Sequence, residues 1–179
     1  MRARLASRLA SRLASRVASR RAASTPAAVV GRIGELDARN LELKEFALPA
    51  RPPAGHVRVR VAAAGINFAE ILQMQGLYQE AAAAPYVPGN ECAGEVEALG
   101  DGAGAPSDAH PAGLRVGDAV LGVPRGGAWA RGCDVPAAAC FALPRDDARA
   151  RAVDLADGAA LPIACGAAHL ALARRSGRG

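Results

Sequence analysis

Two segments in the middle of the chain alternate hydrophobic and polar residues, as a strand does when one of its faces is buried. In residues 57–61 valines alternate with Arg58 and Arg60, and in residues 91–99 apolar positions alternate with Glu95 and Glu97. The two patterns predict half-buried strands whose charged faces lie in water.

A third segment, residues 66–75, follows a helical period. Phe68, Ile71 and Leu72 fall on one face of that helix, and Gly76 has the position of the left-handed residue that ends many helices. A second helical pattern, rich in alanine, covers residues 146–172. We therefore predict one helix between the two strands and further helices after them.

Shorter patterns complete the body of the chain. Residues 116–123 and 128–135 are predicted to be strands, and residues 100–113, rich in Gly, Pro, Ala and Asp, a surface loop. Short strands that are separated by glycine-containing turns and followed by helices predict a mainly β fold with short helices. The expected architecture is a partly open barrel or a sandwich.

The composition limits the core of such a fold. Of the 179 residues 51% are hydrophobic, but 45 are alanine, and Leu, Ile, Val and Phe together number 37. With one Trp, two Tyr and three Phe, a large aromatic core is excluded. Because the sequence has no stretch of about 18 apolar residues, it predicts no membrane span.

The net charge of +5 belongs to the beginning of the chain. Seven arginines and no acidic residue lie in residues 1–24, whereas residues 25–179 hold 15 basic and 17 acidic side chains. The body of the protein is therefore slightly acidic, which argues against a nucleic-acid partner.

The basic segment repeats the sequence RLAS through residues 4–20. On a helix its arginines would form a slowly winding cationic stripe with leucines beside it. A segment rich in Arg and Ser and free of acids is typical of an organelle transit peptide, and we predict a mitochondrial one. A plastid transit peptide is the alternative, and a cytoplasmic protein is expected if the repeat reflects a misplaced start codon.

The cysteines and histidines do not have the spacing of a zinc site. Cys92, Cys133, Cys140 and Cys165 form no C-x-x-C pair, and the three histidines are isolated from one another. Because structural zinc requires closely spaced paired ligands, we predict none, and we expect buried or chemically idle thiols.

Several spaced motifs in residues 30–172 resemble those of a known family. In order, they are AGINFAE (64–70), QGLY (75–78), PYVPGNECAG (85–94), VEALG (96–100), GDAV (117–120), GGAWA (126–130), VP (135–136) and AALP (159–162). The series resembles the quinone oxidoreductase (zeta-crystallin-like) branch of the medium-chain dehydrogenase/reductase superfamily.

This resemblance implies a GroES-like, alcohol-dehydrogenase-type N-terminal domain, here residues 25–150 after a leader of residues 1–24. Relatives continue into a Rossmann domain that holds NADPH, and residues 151–179 would be a helical connection truncated before it. The glycines of residues 100–104 do not replace that domain, because prolines follow where a nucleotide-binding helix would begin. The chain alone is thus expected to bind no cofactor.

The resemblance also implies the chemistry of the site. In zinc-dependent relatives a Cys and a His stand at the positions of Asn67 and Asn90, and amides are poor ligands for catalytic zinc. The chain therefore resembles the metal-free members, in which Asn67 and Tyr78 would border the nicotinamide and substrate cleft. Two plainer roles remain open: Asn67 and Glu70 have the spacing of a helix-capping pair, and Tyr78 could be a packed loop anchor.

The implied function is that of the N-terminal half of a zinc-independent, NADPH-dependent quinone or enone reductase. Such a half would be inactive without its cofactor domain, and at full length it could form a homodimer. The alternative is a catalytically silent GroES-like module that binds a protein or membrane surface. A co-chaperonin is disfavoured, because such proteins are much shorter and lack the motifs around Asn67 and Tyr78.

Overall fold

The structure is a computed structural model that describes residues 23–34, 37–80, 82–108, 110, 113–143 and 154–174. The repeat predicted to be a transit peptide, residues 4–20, lies outside the described residues. The first part of the helical pattern expected from residue 146 lies outside them as well.

Short strands and short helices make up the described residues. The strands are β1 (Ala23–Val30), β2 (Leu41–Leu48), β3 (His56–Ala64), β4 (Cys92–Leu99), β5 (Ala119–Gly122), β6 (Gly132–Pro136) and β7 (Cys140–Ala142). The helices are α1 (Phe68–Gln75), α2 (Leu155–Ala159) and α3 (Leu161–His169), which is followed by a π-helical turn at Leu170–Arg174. Single 3₁₀ turns lie at Ala38–Asn40 and Ala137–Ala139.

The strands pair in two antiparallel sheets. β1 and β2 pair with each other, and the rest form a five-stranded sheet in the order β6-β3-β4-β5-β7. Backbone hydrogen bonds from Ala28 to Trp129 and from Arg131 to Pro26, 2.8 and 3.0 Å long, hold β1 beside the segment that enters β6. Both sheets are open in the described part of the chain, which confirms the predicted mainly β, partly open fold.

Small and β-branched side chains form the core of the larger sheet. Val57, Val59, Val96, Val120 and Val135 are at most 2% exposed. Buried alanines and cysteines fill the space between them, and among the described residues this buried cluster contains no aromatic ring. The core agrees with the expectation from composition.

β3 departs from its prediction at Arg58. Arg60 is exposed as expected, but Arg58 is buried. Its guanidinium donates to both carboxylate oxygens of Asp134 in β6, each at 2.8 Å, and to the carbonyl oxygen of Pro49 at 2.8 Å. The prediction of a water-facing position was wrong because β6 pairs with β3 and places Asp134 directly opposite Arg58.

The helix predicted over residues 66–75 begins at Phe68, because Asn67 is its N-cap residue. It ends as predicted at Gly76, which has a φ of 73° and donates its N–H to the Gln73 carbonyl. The predicted apolar face is not the buried one, since Phe68 is 70% exposed and Glu70 is fully buried. The helix therefore places a carboxylate inside the domain.

Two predicted strands begin later than expected. Before β5, a turn occupies the first predicted residues, and in it the carboxylate of Asp118 accepts the backbone N–H of Arg115 at 2.7 Å. Before β6, the chain contacts β1 instead: Ala130 bridges Ala27, and the carbonyl oxygen of Trp129 accepts the N–H of Ala28 at 2.8 Å.

The loop predicted over residues 100–113 lies only partly at the surface. Ala103 and His110 are buried, and Nε2 of His110 lies 2.8 Å from the carbonyl oxygen of Ala137. The prediction of a surface loop was wrong at these residues, because the segment covers one end of the core beside the Ala137–Ala139 turn.

Candidate active site

Glu70, in the first turn of α1, holds the start of that helix against the turn that precedes β4. Its Oε2 accepts the backbone N–H of Asn67 at 2.8 Å. Its Oε1 accepts the backbone N–H of Asn90 at 3.0 Å and the side-chain Nδ2 of Asn90 at 2.8 Å. These donors offset the cost of removing a carboxylate from water, and Glu70 is fully buried.

A second buried carboxylate, Glu91, connects Asn67 to α3. Its Oε1 accepts the side-chain Nδ2 of Asn67 at 2.8 Å, and its Oε2 accepts the backbone N–H of Ile163 at 2.9 Å. Ile163 lies in the first turn of α3, where unpaired N–H groups and the helix dipole favour an anion. Glu91 therefore acts as a capping group that comes from outside the helix.

The absence of a side chain at Gly65 makes room for Glu91. A Cβ atom there would overlap Glu91 Oε1 and would lie 2.7 Å from the Cγ and Cδ atoms of that side chain. The carbonyl oxygen of Gly65 accepts the indole Nε1–H of Trp129 at 3.0 Å. Trp129 is half-buried and packs against a smaller hydrophobic cluster beside this segment.

The negative charge of Glu70 acts on the hydroxyl of Tyr86, which forms no hydrogen bond with the described residues of this network. It is buried, and within the described ranges it is the buried side-chain polar atom that lacks a hydrogen-bond partner. Burial and the negative charge of Glu70 raise the pKa of Tyr86. The phenol therefore stays neutral near Glu70 at physiological pH.

The two residues predicted from the motifs occupy different environments. Asn67 is half-buried and contacts both carboxylates, and the expected capping contact with Glu70 is present. Tyr78 is half-buried in the bend after α1 and forms none of the network's described hydrogen bonds. The structure thus brings Asn67 together with Asn90, through Glu70, but does not link either of them to Tyr78 by a hydrogen bond.

Two members of the network were not predicted as site residues. The motifs indicate Asn90 only as a residue that stands in place of a zinc ligand, and they assign no role to Glu91. The sequence does contain a signal for Glu91. This acidic residue stands directly before the apolar residues that begin β4, and a charge at such a position needs a partner if it is buried. Its partner Ile163 is remote in sequence, so the signal did not identify the contact.

Three thiols lie in the core of the larger sheet and one lies outside it. Cys92, Cys133 and Cys140 are buried, and Cys165 is exposed on α3. Burial raises the pKa of Cys92 and of Cys140 to about 12 and raises the pKa of Cys133 well above its ordinary value. The buried thiols therefore stay protonated and unreactive, as predicted.

Among the described residues, no group of three or more His, Cys, Asp or Glu side chains could hold a metal ion. The amides of Asn67 and Asn90 instead form hydrogen bonds with carboxylates. None of the helices in the described part of the chain is long and apolar enough to cross a membrane.

The arrangement fixes two amide side chains, each of which can form a further hydrogen bond with a polar molecule. A carboxylate accepts hydrogen bonds, so each amide turns its NH₂ group toward its glutamate and keeps its second N–H for other partners. Ile66 and Phe68 flank Asn67 in sequence and are 74% and 70% exposed. They provide apolar surface beside the fixed amide.

Comparison with known proteins gives a consistent result. The sequence profile of the alcohol dehydrogenase GroES-like domain matches residues 53–145. The synaptic vesicle membrane protein VAT-1 homolog of Rattus norvegicus is 40% identical over 98 residues, which are 55% of this chain and 22% of that protein.

Solved structures show the same similarity. The human synaptic vesicle membrane protein VAT-1 homolog-like protein superposes with a TM-score of 0.72 and 30% identity, covering 86% of this chain and 44% of that one. The quinone oxidoreductase from Thermus thermophilus, whose complex with NADPH is known, superposes with a TM-score of 0.60 and 29% identity, covering 86% and 42%. The chain thus spans less than half the length of these proteins.

Proposed function

Because the chain belongs to the alcohol dehydrogenase GroES-like domain family, in the quinone oxidoreductase-like group of the medium-chain dehydrogenases/reductases, we propose that it forms the substrate side of a reductase cleft. The substrate would be a quinone or an enone, and the reaction would need no zinc. Asn67 and Tyr78 would border the cleft, and their polar groups would orient the substrate carbonyl oxygen.

The fixed amide of Asn67 is the observation that supports this proposal. Its Nδ2 donates to Glu91 Oε1 at 2.8 Å, which leaves the second N–H for a carbonyl oxygen. Negative charge develops on that oxygen when hydride adds to the conjugated system, and a preorganised N–H donor stabilises it. A zinc-dependent site would need a thiolate or an imidazole at this position.

The hydride would come from NADPH, which the quinone oxidoreductase from Thermus thermophilus binds. A Rossmann-type pyrophosphate site needs a parallel β–α–β unit, whereas the strand pairings of the described residues are antiparallel. The described residues therefore offer no pyrophosphate site of this type. Another domain would hold the phosphates, so we expect no NADPH oxidation by this chain alone.

A second candidate is a catalytically silent module that binds a protein or membrane surface. The observation in its favour is the apolar surface after α2, where Leu161, Leu170 and Leu172 are 40%, 55% and 73% exposed. In a complete reductase this surface would lie against the cofactor domain. The two candidate functions therefore differ in what covers this surface: a cofactor domain in the reductase, and a protein or membrane partner in the silent module.

The direct test is a proton–nitrogen NMR titration of the full chain with a soluble naphthoquinone and, separately, with anionic lipid vesicles. We expect the quinone to shift the backbone signals of Gly65, Asn67 and Tyr78 more than those elsewhere. The affinity should be weak, because no nicotinamide ring is present to stack against the quinone. A response of α3 to vesicles with no response of Asn67 to the quinone would favour the silent module.

The coding sequence gives a cheaper test. An in-frame strand, Gly-rich turn and helix after Gly179 would support the reductase, and a verified stop codon there would favour the silent module. Measured turnover of NADPH with a quinone by the isolated chain would contradict the proposed division between two domains.

A further inference from the structure

We infer that Asn90 also contacts the ligand in the proposed cleft and presents a hydrogen-bond acceptor there. It would thereby select a planar ligand that carries an O–H or N–H donor. This inference rests on the proposed function and adds a residue, and a ligand preference, that the motifs did not indicate.

Glu70 determines how the amide of Asn90 is oriented. The backbone N–H and the side-chain Nδ2 of Asn90 lie 3.0 and 2.8 Å from the same oxygen, Oε1 of Glu70. The other oxygen of that buried carboxylate accepts the backbone N–H of Asn67. A backbone N–H can only donate, so both carboxylate oxygens act as acceptors and the amide must turn its NH₂ group toward them.

The carbonyl oxygen of Asn90 consequently points away from Glu70. Asn90 is half-buried, and within the described residues its Oδ1 is not among the buried polar atoms that lack a partner. No donor to that oxygen is found in the same residues. Oδ1 therefore reaches the surface, close to Asn67, since one carboxylate holds both residues.

The two asparagines then differ in what they offer a ligand. Each offers its second N–H, which suits a carbonyl oxygen, but Asn90 also offers a C=O, which suits a donor. A quinone that gains a hydride and a proton becomes a hydroquinone, whose O–H groups are such donors. The carboxamide NH₂ of nicotinamide is another, and Glu70 acts on either ligand only as a positioning residue.

The experiment is an NMR titration of the full chain with a naphthohydroquinone kept reduced and with its dimethyl ether, which has the same rings but no donor. We expect the hydroquinone to bind about fivefold more tightly, the factor that one net hydrogen bond of about 1 kcal/mol gives. Asn90→Leu should abolish this preference, so that the hydroquinone and the ether bind equally. A similar preference for nicotinamide over its N,N-dimethyl derivative would assign the donor to the cofactor.

Glu70→Gln tests the positioning role. A glutamine can donate as well as accept, so the Asn90 amide would be free to turn over and the fivefold preference should fall toward one. Glu95→Gln changes an exposed carboxylate of β4 and should keep the preference. If Glu70→Gln does not fold, Asn90→Leu decides the question.

Two results would count against the inference in different ways. Equal binding of the hydroquinone and the ether, or a preference that survives Asn90→Leu, would overturn it and leave the proposed function standing. If no ring compound shifts the signals of Gly65 or Asn67, the proposed function fails and the inference fails with it.

Discussion

The carboxylate of Glu91 accepts the backbone N–H of Ile163 at 2.9 Å and so ties the strand-rich part of the chain to the first turn of α3. The same carboxylate holds the amide of Asn67. A shift of α3 should therefore also move the amide of Asn67, because the side chain of Glu91 is hydrogen-bonded to both.

Replacing Glu91 by Gln should loosen the start of α3. A carboxylate accepts on both oxygens, whereas a glutamine has one acceptor and would turn its NH₂ group toward Asn67 or Ile163. We expect a loss of about 1–3 kcal/mol in the free energy of unfolding and faster hydrogen exchange at Ile163. Glu97→Gln, at an exposed position of β4, is the control. An unchanged exchange rate at Ile163 would contradict the capping role.

Gly65→Ala should destabilise the fold by about 1–3 kcal/mol, because the new methyl group would occupy the space of the Glu91 side chain. Gly166→Ala provides the comparison within α3, where no atom lies within 4 Å of the added Cβ. That change should be neutral or should stabilise the helix by up to about 1 kcal/mol. Urea unfolding of both variants makes the test, and equal effects would show that Glu91 does not fill this space.

Asp134→Ala should be among the most damaging changes outside the candidate site, at about 3–5 kcal/mol, because it leaves Arg58 buried without a counter-charge. Removing both charges with Arg58→Met and Asp134→Leu should cost much less. Glu95→Ala, which breaks the exposed pair with Arg60, should cost no more than about 1 kcal/mol. Thermal or urea unfolding would contradict this assignment if Asp134→Ala were as mild as Glu95→Ala.

The free energy of unfolding should fall as the pH rises above 9.0. An unfolded thiol ionises near a pKa of 9.0, whereas burial keeps the pKa of Cys92 and of Cys140 at about 12. Above pH 9.0 the unfolded state therefore binds fewer protons, and each such thiol lowers stability by up to about 1.4 kcal/mol per pH unit until pH 12 is approached. Cys140→Ala should reduce the slope. Equal slopes for this variant and the unchanged chain, in urea unfolding at a series of pH values, would refute this.

We propose that the leader, residues 1–24, directs the protein to mitochondria. A fluorescent protein fused behind residues 1–30 should colocalise with a mitochondrial marker, because the RLAS repeat offers arginines without acids. Replacing Arg4, Arg8 and Arg12 by Glu should abolish import. A native fusion that stays diffuse in the cytosol would rule the proposal out.

Local pattern was enough to predict four of the five strands of the larger sheet, but not β7, nor β1 and β2 of the smaller sheet. A period of two placed Val57 and Val59 on the buried face of β3, and Gly76 marked the end of α1. The burial of Arg58 could not be predicted in this way, because it depends on Asp134, which lies 76 residues away. Pairing between distant strands leaves no trace in the pattern of either strand alone.

In the candidate site, too, the local features were predicted from the sequence and the contacts between distant segments were not. The motif around Asn67 indicated that residue, and the spacing to Glu70 indicated the capping contact that is present. The link from Glu91 to Ile163 and the orientation of the Asn90 amide depend on where separate segments meet in space. Sequence spacing carries no information about those meetings.

The pairing of β3 with β6 also governs when the domain can fold during synthesis. The side of β3 that β6 covers stays open on the nascent chain until residues 132–136 have left the ribosome. Contacts between such distant segments make folding slow, on the order of milliseconds to seconds. Until then a valine-rich strand edge is open to wrong partners, so this domain should depend on chaperones more during translation than after it.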